Sequence, residues 1–292
     1  HASIFELPDI QDKMSVEQLE TFVINPAHLT FILIAGVVGS LVISAVLFAI
    51  LFATERARLQ REARAAAARR LRHVESKAEV VLEKLPTLES CLPALYPHGT
   101  KNLPTAGPFH IFLSHNWKHG QSEMRIVKTR LCEMLPDASV FLDVDNLGGG
   151  SDHTHLDVTR VCLCYCTRLW FTNMPCVCEM VRAVLRGVPC IALLEPDTGD
   201  VHGGHTEAEC RELLQSEMYA ERLRKMESEV TVWAEEWQKP GMVVPTAEEI
   251  ETALFALPSI VWYRLAAFQD VSMRLIGERM MPREALLKHK SS

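Results

Sequence analysis

The sequence predicts an α/β protein: a doubly wound, five-stranded parallel sheet preceded by one transmembrane helix and a basic helical stalk. Three observations predict it. Residues 29–53 form a 25-residue run without a charge. Residues 109–194 alternate short apolar runs with stretches whose apolar residues recur at helical spacing. Strands alternating with helices build a parallel sheet covered on both faces, and strands buried on both faces read as continuous apolar runs.

The 292 residues are 48% hydrophobic and 23% charged, which excludes wholesale disorder. The formal net charge of −7 argues against a general nucleic-acid binder, so no nucleic-acid partner is expected. Mean hydropathy is slightly high for a soluble chain, at +0.06, and the 29–53 run explains it.

Leu29–Ala53 reaches roughly 37 Å as a helix, enough to cross a hydrocarbon core of about 30 Å with some tilt. Residues 1–28 hold five acids (Glu6, Asp9, Asp12, Glu17 and Glu20) against Lys13. Residues 56–72 hold seven arginines, from Arg56 to Arg72, against Glu62. The positive-inside rule therefore makes 1–28 an extracytoplasmic acidic segment, 29–53 a single pass, and everything after it cytoplasmic. Lipid is the expected partner of Leu29–Ala53, and anionic lipid of the Arg56–Arg72 stretch, which reads equally well as a solvated basic helix. Gly36, Ser40 and Ser44 make a small-residue stripe of the kind that lets spans pack closely.

Residues 54–85 lack Gly and Pro and read as a continuous basic juxtamembrane helix. Its apolar residues Leu71, Val74 and Val81 are too sparse for a coiled coil. Residues 86–108, with Pro86, Pro93, Pro97, Gly99, Pro104, Gly107 and Pro108, read as a linker. The α/β domain then occupies 109–282, ahead of a tail at 283–292. Strands are expected at 109–114, 139–143, 161–166, 188–194 and 258–263, and helices at 121–135, 175–186, 247–256 and 265–280. Thr246–Glu249 forms a capping box at the start of the 247–256 helix. Residues 206–238 read as a long charged helical stretch broken once, within an enlarged segment 206–257. Leu265, Phe268, Val271 and Leu275 form an apolar stripe on the last helix, with Trp262 as its anchor.

Three pieces fall in a telling order. The first strand runs into Phe112-Leu113-Ser114-His115. The second ends in Phe141-Leu142-Asp143-Val144-Asp145, before Asn146-Leu147-Gly148-Gly149-Gly150. The third is followed by Trp170-Phe171-Thr172-Asn173-Met174-Pro175-Cys176-Val177-Cys178-Glu179-Met180. Together they resemble the Toll/interleukin-1 receptor (TIR) homology domain in a divergent form. Cys176, Glu179 and Met180 match that family's Cys-x-x-Glu-Leu box, and Asn146–Gly150 its BB loop. The chain departs from the pattern at His119, where the family has an acid, and at Asn173 and Pro175, where it has Ser and Trp.

The resemblance implies a flavodoxin-like sheet of order 2-1-3-4-5, whose switch point lies between strands one and three, and ligands bind beyond the carboxyl ends of strands at such a point. It implies signalling by homotypic TIR–TIR contacts. It also implies cleavage of NAD+ at the nicotinamide–ribose bond, with Glu179 as catalytic carboxylate and no permanently bound cofactor. Ser114, His115, Trp117, Asn146, Gly148 and Trp170 are the residues expected to bind the nucleotide. The glycosidic transition state is oxocarbenium-like, so a carboxylate beside the ribose stabilises it. A bland role stands beside this one, because the helix dipole alone favours Glu in a first turn. A catalytically inactive adaptor remains an alternative, as does the C-terminal tail of a larger receptor or channel. The first residue, His1, is consistent with a fragment or a processed product.

The other motifs read as structural. Gly148–Gly150 lacks the Lys-Ser/Thr of a P-loop. Asp143 and Asp145 are too few for a metal, and no metal site is expected. All nine cysteines lie on the predicted cytoplasmic side, where disulfides are rare. Cys162, Cys164 and Cys166 alternate along a strand, so they share one face as small core residues. His119, His153, His155, His202 and His205 fit no catalytic triad.

Overall fold

The computed structural model describes residues 26–72, 77–97, 99–100, 103–143 and 153–281. The chain divides into two compact units, 1–65 and 66–292. Helix α1, Pro26–Arg69, contains the uncharged run. From His28 it has a mean hydropathy of 2.7 in its most apolar window, and none of that window is buried. By length and composition it can cross a membrane.

The second unit holds α2 (Leu88–Leu95), β1 (Ile111–Ser114), α3 (Trp117–Met134), β2 (Val140–Phe141), a 3-10 turn (His153–Val158), β3 (Cys162–Cys166), α4 (Met174–Arg186) and β4 (Cys190–Leu194). Then come α5 (Glu207–Leu214), α6 (Glu217–Arg224), α7 (Glu227–Glu236), α8 (Ala247–Leu254), β5 (Ile260–Val261) and α9 (Ala266–Arg279). The strands form one sheet in the order β2-β1-β3-β4-β5. Every pairing is parallel, with Phe112 opposite both Phe141 and Cys162, and Cys162 opposite Cys190. This is the doubly wound α/β sheet the alternation predicts.

Side-chain alternation sorts the sheet into two apolar layers. Phe112, Cys162, Cys164, Cys166, Ala192 and Leu194 face one layer, built with α4 and α5–α8. Ile111, Leu113, Leu163, Tyr165, Ile191 and Leu193 face the other, built with α3 and α9. All nine cysteines are free, and the three of β3 are fully buried among apolar neighbours, as core packing requires.

Four expectations need correction. The stalk helix stops at Arg69 and does not reach Leu85. Leu71 donates its N–H to the Met134 carbonyl and accepts from Val80, so Leu71, Val80 and Leu82 enter the core while Val81 faces solvent. The 86–108 segment is not all linker: α2 forms despite Pro93, and Tyr96 is buried behind it. Residues 206–238 break twice, because Ser216 caps α6 and α7 restarts after Met226. Last, the Leu265, Phe268, Val271 and Leu275 stripe is exposed. The buried face of α9 carries Met273 and Ile276 together with Ser272, whose hydroxyl donates to the Val261 carbonyl at 2.6 Å, and the buried Met280 caps its end. Trp262 is fully buried and donates its indole N–H to Glu123 at 2.7 Å.

Candidate functional site

The carboxyl ends of β1 and β2 and the first two turns of α4 enclose a cavity of about 330 Å³. His115, Trp117, Asp143, Asn173, Cys176 and Glu179 line it. Its position follows from topology. The chain leaves β1 for β2 on one side and reaches β3, then α4, on the other, so the loops separate and leave a crevice.

Glu179 is buried at 5% exposure, yet its carboxylate reaches the cavity wall. The Ser114 hydroxyl donates to its Oε2 at 2.6 Å, and the Trp170 indole N–H donates to the Ser114 oxygen at 2.9 Å. Ser114 and Trp170 are each 1% exposed and do not line the cavity. They stand behind Glu179 and hold it, so neither is placed to bind a nucleotide directly as the sequence suggests. Ser114 is buried away from the cavity, so its hydroxyl is not placed to attack a ligand there.

His115 is buried, with Nδ1 3.1 Å from the Leu113 carbonyl. A ring nitrogen beside a carbonyl carries the proton, which leaves Nε2 as an acceptor. That atom is buried without a hydrogen-bond partner, and Asp143 Oδ1 lies 3.9 Å away. Burial holds the pKa of His115 below its ordinary value despite the hydrogen bond to Leu113 and the nearby Asp143 charge, so the ring is neutral at pH 7. The Asn173 side-chain oxygen is likewise buried and unpartnered. The Cys176 thiol donates to the His115 carbonyl at 3.3 Å, and burial pushes its pKa well up. It is a structural thiol. Trp117 is 45% exposed at the mouth, where its indole N–H donates to Asp143.

The cavity wall is thus rich in acceptors and suits a ligand rich in donors, such as a ribose with its hydroxyls. Sequence reasoning placed Glu179, His115 and Trp117 here. It missed Asp143 as a wall residue, although its position at the carboxyl end of the second strand is the available signal. Asn146 and Gly148 lie outside the described residues. Among the described residues no group of acids, His and Cys is arranged to hold a metal.

No family model matches the chain, and no curated protein matches it. Among solved structures it is similar to the TIR domains of the activated Roq1 resistosome directly recognizing the pathogen effector XopQ. The likeness is 13% identical, covers 59% of this chain and 99% of that one, and has a TM-score of 0.38. The fold assignment rests on the strand order and the parallel registers.

Proposed function

We propose that this chain is a membrane-tethered signalling protein of the TIR type, with its α/β domain in the cytoplasm, acting by self-association and hydrolysing NAD+ at the nicotinamide–ribose bond. One observation carries the enzymatic reading: a buried carboxylate, Glu179, fixed by Ser114 and Trp170 at the wall of an acceptor-rich cavity. In the reaction the bond from ribose C1′ to the nicotinamide nitrogen breaks, and nicotinamide leaves as a neutral group. Positive charge develops on the ribose, where Glu179 stabilises it. Water adds to C1′ and gives up a proton, for which the neutral His115 Nε2 is the available acceptor. The products are ADP-ribose, nicotinamide and a proton.

The test is nicotinamide release by the full chain in lipid nanodiscs, dispersed and then clustered through a dimerising tag. Turnover should rise on clustering. Glu179→Gln keeps an acceptor for Ser114, so it should melt normally while turnover falls about 10²–10³-fold, the usual cost of losing one charge-stabilising group. A folded, clustered chain that releases no nicotinamide would leave an adaptor whose Glu179 ties β1 to α4.

A further inference from the structure

A second and larger cavity lies at the opposite end of the sheet, where β3 and β4 begin. It measures about 520 Å³, within the roughly 300–1,000 Å³ usual for small-molecule sites. Val184 and Val188, from the end of α4 and the loop after it, form one wall. Leu257 and Met280, just past α8 and α9, form another. The only charged side chains lining it are Arg160 and Arg279, and among the described residues no acid lines it.

The two arginines differ in how they are satisfied. Arg160 Nη1 bonds Glu83 at 3.0 Å. Arg279 donates from Nη2 to the Pro258 carbonyl, but its Nη1 is buried without a hydrogen-bond partner. An unanswered buried donor on a cation is costly, and a ligand acceptor would relieve it. Glu83 answers Arg160, so Arg279 is the cation left to meet a ligand, beside the carbonyl ends of three helices.

We propose that this cavity binds a single-chain fatty acid, with the alkyl chain between the valines, Leu257 and Met280 and the carboxylate on the Arg279 guanidinium. An apolar interior with an arginine at its rim matches both halves of such an amphiphile. Each methylene taken into the cavity strengthens binding about fourfold, the equivalent of ~0.8 kcal/mol per buried CH₂. The site is separate from the Glu179 crevice and does not depend on the activity assigned to it.

The experiment uses the full chain in phosphatidylcholine nanodiscs with a diazirine-bearing palmitic acid, and mass spectrometry to locate the photo-crosslinks. Crosslinks should fall on peptides containing Val184–Pro189 and Ala253–Leu257, and palmitate should compete at least tenfold better than hexadecanol. Ala253→Trp narrows the cavity and should remove these crosslinks, while labelling of Leu29–Ala53 persists as an internal control. Arg279→Gln keeps the cavity and should erase the preference for acid over alcohol. Labelling confined to the Leu29–Ala53 run would overturn the proposal. So would equal competition by the alcohol in the unaltered chain. Labelling that appears only after removal of residues 282–292 would also overturn it, by making the cavity the seat of the chain's own end.

Discussion

Asp157 sits at the centre of a charged cluster in the protein interior. It accepts from Arg182 Nε at 2.8 Å, Arg182 Nη2 at 2.7 Å, Arg186 Nη2 at 2.8 Å and the Tyr96 hydroxyl. The Arg182 guanidinium lies 4.7 Å from the centre of one Trp233 ring and 4.9 Å from that of Trp237, and Arg186 covers Trp237 at 3.7 Å. Burial alone would raise the Asp157 pKa, but the hydrogen bonds and charges of the two arginines outweigh it and hold the group below its ordinary 3.8. A carboxyl with a depressed folded pKa stabilises above the unfolded value, and that contribution fades as pH falls through the folded one. Asp157→Asn leaves two guanidinium groups uncompensated. It should cost about 3–5 kcal/mol at pH 7 in urea unfolding, with a smaller loss near pH 3. The cluster explains why the segment ending at Tyr96 packs on the domain: its hydroxyl donates to Asp157. Nothing local in the 86–108 sequence announces a partner sixty residues away.

At the scale of elements, the helix start at Thr246 was legible because its chemistry is local, whereas α3 starts at Trp117 and not at 121. Thr246 accepts from the Glu249 N–H, and Glu249 accepts from the Thr246 N–H at 2.7 Å. Thr206 and Glu209 repeat the arrangement at α5. Thr246→Ala should cost about 1 kcal/mol, read as a lower urea midpoint at unchanged slope. The strands were legible because both sheet faces are covered, so each is a short apolar run. The period of two in Cys162, Cys164 and Cys166 assigned their face correctly. What failed was any reading that needed tertiary partners. The stalk looked helical to Leu85, yet Leu71, Val80 and Leu82 are drawn into the core. The α9 stripe had ideal spacing, yet Ser272 took the buried face because a β5 carbonyl receives its hydroxyl proton.

For the whole molecule, the charge step across the uncharged run fixes the expected orientation. A glycosylation acceptor inserted within 1–28 should be modified in microsomes, and one placed after Met281 should not; the reverse pattern would invert the topology. The candidate site was half legible. Glu179, His115 and Trp117 do meet at one cavity, because the switch point of a 2-1-3-4-5 sheet draws those loops together. Ser114 and Trp170 turned out to act from behind, since a motif shows spacing and not which atom a hydroxyl faces. The thiols carry a last consequence. Six of the nine, Cys162, Cys164, Cys166, Cys176, Cys190 and Cys210, are buried in one layer on the same side of the sheet, and Cys132 alone is exposed. Folding therefore acts as a lock on the chain's redox chemistry. The native domain offers an oxidant one exposed cysteine, while one opening of the sheet releases a crowd of sulfurs near enough to cross-link, so that a brief unfolding under oxidative stress becomes hard to reverse.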